Sequence, residues 1–176
     1  MTATPREPWG FSLFCDDVRF ELGGKMSVAG IYQADMVFPA EQSFPIILPK
    51  FGIFLKYYEL QDSSLTADIL VRIFLPGDQN DAPSVVLPFN RSLLTAAAPP
   101  RRYDLEPDQE RVFNITYPIV FSPLMIKQEG FIKVRALSGE TTTKLGSLMI
   151  RRAQADESLQ LPNFGPGAPP NVPPTS

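Results

Sequence analysis

Three groups of side chains in this 176-residue chain have the types and spacing for ligand chemistry. Asp16, Asp17 and Glu21 lie within one short run and offer the hard oxygens that Ca²⁺ prefers. Neighbouring strand residues point to opposite faces, so Asp16 and Asp17 reach one ion only across a bulged backbone. The plainer reading is a strand kink with Arg19 as salt-bridge partner. Asp78, Asn80 and Asp81 stand in the run PGDQND. With Asp62 they would sit at one end of a β-sandwich, as calcium ligands do in sandwiches that bind membranes. Turn formation explains Asp and Asn there equally well, and no second acidic cluster or EF-hand spacing accompanies them. The third group is basic: Lys127, Lys133, Arg135, Lys144, Arg151 and Arg152 give the last part of the chain a cationic face. Such a face suits phosphate or an acidic partner. Exposed strands also carry Lys and Arg to prevent aggregation.

What is missing narrows the chemistry further. The chain has no histidine and a single cysteine, Cys15. Ser-His-Asp and Cys-His nucleophile systems are therefore unavailable, as are His-ligated and multi-thiolate metal sites. No intramolecular disulfide can form, which fits a reducing compartment. No pair of carboxylates can be singled out for acid–base work. Gly23-Gly24 precedes a strand, so it lacks the helix N-terminus that binds anions. A net charge of −3 gives no polyelectrolyte argument for nucleic acid. Trp9 and the tyrosines show no regular stacking pattern. The first ten residues contain no signal-peptide core, and no window approaches a membrane span. The chain is expected to be non-catalytic, cofactor-free and cytoplasmic, without nucleic acid or integral membrane contact.

The elements that position these groups are strands. Leu65 to Leu75 alternates most cleanly, with Leu65, Ala67, Ile69, Val71, Ile73 and Leu75 on one face and Thr66, Asp68 and Arg72 on the other. Phe51 to Leu60 precedes it across the Asp62-Ser63-Ser64 turn, and the two read as a hairpin. Ser84 to Phe89 is a short strand that Pro88 assigns to an edge. Leu93 to Ala98 has the composition of a helical turn, stopped by Pro99-Pro100. Glu110 to Phe121 alternates through Phe113, Ile115, Tyr117, Ile119 and Phe121. Leu124 to Lys127 is a short piece. Gly130 to Leu137 and Thr141 to Arg151 form a final hairpin around Ser138-Gly139-Glu140. From Ala153 the chain is proline-rich and reads as a disordered tail.

The first hairpin runs from Gly10 to Phe38 around Gly23-Gly24, whose positive φ angles a tight turn demands. In its first strand Phe11, Leu13 and Cys15 share one parity, and Val18 and Phe20 the other. The switch predicts a β-bulge at Asp16-Asp17. Met26, Val28, Tyr32, Met36 and Phe38 share a face of the second strand. The string FCDDVRFELGGKMSVAGIY resembles the opening of a family of small, uncharacterised bacterial proteins. The matching residues are Asp16, Asp17, Val18, Arg19, Glu21, Gly24, Lys25, Gly30 and Tyr32, with a weaker echo in Lys144 to Leu148. The resemblance implies a bacterial cytosolic β-sandwich.

Together these readings predict an all-β, antiparallel sandwich of about seven or eight strands, immunoglobulin-like or C2-like, over residues 10–152. A lead-in (1–9) precedes it and the tail (153–176) follows. The expected function is a binding or assembly module, working with a protein partner or by self-association through a sheet face or an edge strand. The surface candidates are Asp16, Asp17, Arg19, Glu21, Phe54, Tyr57, Tyr58, Lys133, Arg135 and Lys144. A calcium- or lipid-headgroup-binding sandwich is the first alternative, and a carboxylate-dependent enzyme on a β scaffold the second.

Overall fold

Alternating apolar residues need an apolar wall to face, and here two sheets supply one another with it. The computed structural model describes residues 7–60, 67–96 and 112–154. In chain order its strands are β1 (Trp9–Phe20), β2 (Met26–Ile31), β3 (Asp35–Phe38), β4 (Ile46–Leu48), β5 (Phe51–Leu60), β6 (Ile69–Phe74) and β7 (Val85–Phe89). After the short helix α1 (Arg91–Ala96) come β8 (Val112–Phe121), β9 (Leu124–Ile126), β10 (Gly130–Ser138) and β11 (Thr141–Arg152). Sheet A has the order β2-β1-β5-β8, and sheet B the order β3-β11-β10-β6-β7. Strands β4 and β9 form a separate two-stranded ribbon. The fold is an all-β sandwich.

The inner face of sheet A carries Phe14, Phe51, Ile53, Leu55, Tyr57, Ile115 and Ile119. Facing them from sheet B are Met36, Ile69, Val71, Ile73, Ile132, Val134, Leu145, Leu148 and Ile150. Along β11 the buried residues change parity between Leu145 and Leu148. A register shift against β10 between Val134 and Arg135 makes this possible, leaving Leu145 as the extra residue of a bulge. Strand β1 lies against β11 at one side of the sandwich, where Thr143 Oγ1 donates to the Pro8 carbonyl. At the other side Phe89 of β7 meets Tyr117 of β8 edge-on at 5.3 Å.

The turn residues behave as their types require: Gly23 and Gly24 have φ of 76° and 73°. The final hairpin, the alternation of β6 and β8, the edge position of β7 and the helical turn match the sequence reading. Other expectations need correction. Eleven strands occur among the described residues, and β3 pairs with β11 in parallel, so the sandwich is not wholly antiparallel. Strand one begins at Trp9, inside the expected lead-in. The long second strand of the first hairpin is two strands, because the chain leaves sheet A after Ile31 and enters sheet B at Asp35. Strands β5 and β6 are not a hairpin. The first pairs with β1 and β8, the second with β10 and β7. Residues 61–66, with the expected turn, lie outside the described residues, as do 97–111 and the tail beyond 154.

At Asp16-Asp17 the expected bulge is absent from β1. The pairs Cys15–Ile31 and Asp17–Ala29 keep one register, with no extra residue. The distortion sits on the partner strand instead. Gly30 has φ of 67°, and its position opposite Asp16 drops out of the ladder. A side chain at Gly30 would collide with the Asp16 carboxylate. The parity change itself is real, because Cys15 Sγ and Val18 Cγ2 both approach the same side of Gly52.

Candidate functional site

Two exposed faces and one buried polar lock hold the chemically notable side chains. The register of sheet A stacks its outward residues in rows across three strands: Trp9, Tyr58 and Asn114; Phe11, Lys56 and Thr116; Leu13, Phe54 and Pro118. Trp9 and Tyr58 stack with centroids 5.6 Å apart and planes 18° apart. The Lys56 ammonium lies 5.9 Å from the Tyr58 ring centroid, within cation–π range. Phe11 remains 42% exposed, and Val112 and Val120 on the same face are also exposed. A sheet face this apolar is normally covered. Of the three aromatic candidates read from the sequence, Phe54 and Tyr58 lie here. Tyr57 does not: it faces the core and is 1% exposed.

The outer face of sheet B is basic. Arg72 of β6 stands directly opposite Arg135 of β10, and Arg135 directly opposite Lys144 of β11. Lys133 is two residues along β10, on the same face. Arg72, Lys133 and Arg135, together with Phe74, Asn80, Leu137 and Thr142, line a cleft of about 290 Å³. The Arg135 guanidinium is drawn down into it, donating from Nη1 to the carbonyls of Val134 (2.7 Å) and Gly146 (3.1 Å). Desolvation there lowers its pKa. Sequence reasoning identified Lys133, Arg135 and Lys144 but not Arg72, which it placed only on the polar face of its strand. Arg151 and Arg152 belong elsewhere, paired with Asp35 (2.7 Å) and Glu129 (2.6 Å).

The lock lies between the sheets beside α1. Glu59 is fully buried, and both its oxygens accept from Arg91 at 2.9 Å. Tyr57 Oη donates to Glu59 Oε2 at 2.8 Å. Burial, then the neighbouring carboxylate, raises the Tyr57 pKa. Arg91 also donates to the Ala67 carbonyl (2.9 Å) and to Ser138 Oγ (3.2 Å). No sequence motif marks this group, because its members come from β5, α1 and β10.

The acidic candidates are engaged within the fold. Asp17 is bridged by Lys50 and by Arg19 at 2.6 Å. Asp16 points the other way and accepts from Tyr32 Oη at 2.5 Å, while Glu21 is exposed at the turn. Asp78 accepts from the N–H of Leu75 (2.9 Å) and from the N–H and hydroxyl of Ser84 (2.8 and 3.0 Å), so it braces its own loop. Asn80 lines the basic cleft, Asp81 is exposed, and Asp62 lies outside the described residues. No group of three or more metal-ligating side chains occurs among the described residues.

These carboxylates give the protein an acid limit. Lys50, then Arg19, lowers the Asp17 pKa, and Arg152 lowers that of Glu129. At Asp78 burial opposes the charge, but the donors of Leu75 and Ser84 outweigh it. A depressed folded pKa means stability present at neutral pH and lost as pH falls through the folded values, below the usual carboxylate range of about 4. Urea midpoints measured from pH 7 downward should hold and then fall steeply below about pH 4. Asp17→Asn should flatten that fall. A midpoint that does not change on acidification contradicts this assignment.

No protein-family model, curated protein or solved structure matches this chain. No helix among the described residues is long and apolar enough to cross a membrane.

Proposed function

We propose that this chain is a non-catalytic, cytoplasmic binding module that takes a different protein on the outer face of sheet A. The observation that carries this is the outward patch of Phe11, Leu13, Phe54, Pro118 and the Trp9–Tyr58 stack, in which Phe11 and Trp9 are exposed and the others half-buried. Aromatic anchors on a rigid sheet give large contact area at low entropic cost. Lys56 selects the occupant. It stands on β5, the middle strand of the patch, with Phe11 across from it on β1, Thr116 across from it on β8, and Phe54 and Tyr58 along its own strand. A two-fold pairing of two copies through this patch would bring their Lys56 ammonium groups together. A partner with an apolar surface and a carboxylate opposite Lys56 is complementary instead. The absence of histidine and the single buried Cys15 support the non-catalytic and cytoplasmic parts of the reading. The same proposal keeps the chain beside the bacterial family that its N-terminal string resembles.

The test compares wild-type protein with Phe11→Ser/Tyr58→Ser and with Lys56→Glu as baits in lysate of the source cell. A protein retained by the wild type should be lost by the double variant. Rebuilt from purified components, the complex should weaken about tenfold with Lys56→Glu. Equal retention by all three baits overturns the proposal. So does a wild-type homodimer in light scattering that the double variant dissolves, because the occupant is then a second copy.

A further inference from the structure

The basic face of sheet B lies on the opposite side of the sandwich and carries a separate inference. Three observations set it apart from an ordinary solvated strand face. First, its charges are on interior strands. In the order β3-β11-β10-β6-β7 only β3 and β7 are edges, so protection against edge pairing does not account for Arg72, Lys133, Arg135 and Lys144. Second, like charges stand directly opposite one another on both sides of Arg135, with Arg72 across one ladder and Lys144 across the other. Such pairs destabilise a sheet. None of the four forms an ion pair with a described carboxylate, although five other basic residues (Arg19, Lys50, Arg91, Arg151 and Arg152) do. Third, three of the four charges, Arg72, Lys133 and Arg135, line a concavity. The Arg135 guanidinium is held in place by the carbonyls of Val134 and Gly146 at the bulge, with Asn80 and Thr142 as neutral hydrogen-bonding groups and Phe74 and Leu137 as apolar walls.

We propose that this cleft binds a multiply charged oxyanion of the phosphate-ester class. Two guanidinium groups supply planar, fork-like donors for phosphate oxygens, and Lys133 adds a point charge. A dianion bound there would turn the repulsion between Arg72 and Arg135 into attraction. The cleft, about 290 Å³, has room for a small organic phosphate, with Phe74 and Leu137 against its uncharged part. A soluble phosphate ester and a lipid phosphate headgroup share this chemistry.

The experiment titrates full-length protein with inorganic pyrophosphate at constant ionic strength by calorimetry, with chloride as control. A parallel arm measures co-sedimentation with phosphatidylcholine vesicles containing phosphatidic acid. Saturable pyrophosphate binding at one site is expected, weakened about tenfold by Arg72→Gln. Vesicle binding with the same Arg72 dependence assigns the lipid source, and vesicle binding absent assigns the soluble one. Arg72→Gln should also unfold without ligand at the same or a higher urea concentration than wild type, because it removes a like-charge pair. The proposal is overturned if both arms are flat or Arg72→Gln leaves binding unchanged. An unliganded variant that unfolds earlier than wild type removes the like-charge argument and overturns it equally.

Discussion

Arg91→Ala is expected to lower the unfolding free energy by about 3–5 kcal/mol, the usual cost of leaving one member of a buried ion pair alone. Glu59 is fully buried, and Arg91 supplies both charge-assisted hydrogen bonds to its oxygens. Removing the guanidinium takes both charge-assisted bonds from a carboxylate buried between the sheets, to which Tyr57 also donates. It also takes a donor from the Ala67 carbonyl and from Ser138 Oγ, which keep their bond to each other, so the contacts of β5, α1 and β10 loosen together. For a domain of this size the midpoint should fall by roughly 10 °C. Glu59→Leu combined with Arg91→Leu should cost less than the two single changes added, because no charge is then left buried alone. A thermal melt and a urea titration of Arg91→Ala, of each Leu single variant and of the Leu double variant decide it. Simple additivity would show that the pair is not coupled.

The second large effect is expected at Phe51. Its ring is fully buried and is surrounded by those of Phe14 (6.4 Å), Tyr32 (6.3 Å) and Phe121 (6.4 Å), centroid to centroid. These neighbours come from β1, from the segment between β2 and β3, and from β8. Phe51→Ala removes the ring they share and leaves a cavity that a packed sheet cannot close. The expected loss is about 3–5 kcal/mol. Phe51→Leu keeps part of the contact and should cost markedly less. Urea midpoints should move while the slope of the transition stays constant. Near-equal midpoints for Phe51→Ala and wild type would mean that the surrounding rings collapse into the gap.

Local signals carried the reading where one residue pattern decides the outcome. In Ile69 to Phe74 and in Val112 to Phe121 the polar residues, Arg72 in the first and Asn114 and Thr116 in the second, all fall on one parity, so the opposite parity is the buried face. In β1 both parities are apolar. Phe11 and Leu13 hold one parity and Phe14 the other, and it is Phe14 that faces the core while Phe11 faces out. Nothing in a single strand separates these choices, because the partner wall makes them. The same limit explains the misread pairing of β5 with β6. Adjacent strands joined by turn-forming residues favour a hairpin locally, whereas each of these strands buries more against a different sheet. The basic face was half legible: Lys133, Arg135 and Lys144 share one hairpin, but Arg72 joins them only through the register of β6 with β10. Glu59 and Arg91 are 32 positions apart, and no spacing rule links them.

Pro88 in β7 and Pro118 in β8 have a collective consequence when set beside the four residues of β3 and the gap at Gly30 of β2. These are the four outermost strands of the two sheets. Two lack a backbone donor, one is very short and one has a broken ladder, so none offers a long, regular rail of N–H and C=O groups to an incoming strand. Growth of the sheets by templated addition, whether into ordered fibres or by capture of an extended peptide, is obstructed at every border. Encounters with other molecules are thereby directed onto the broad surfaces.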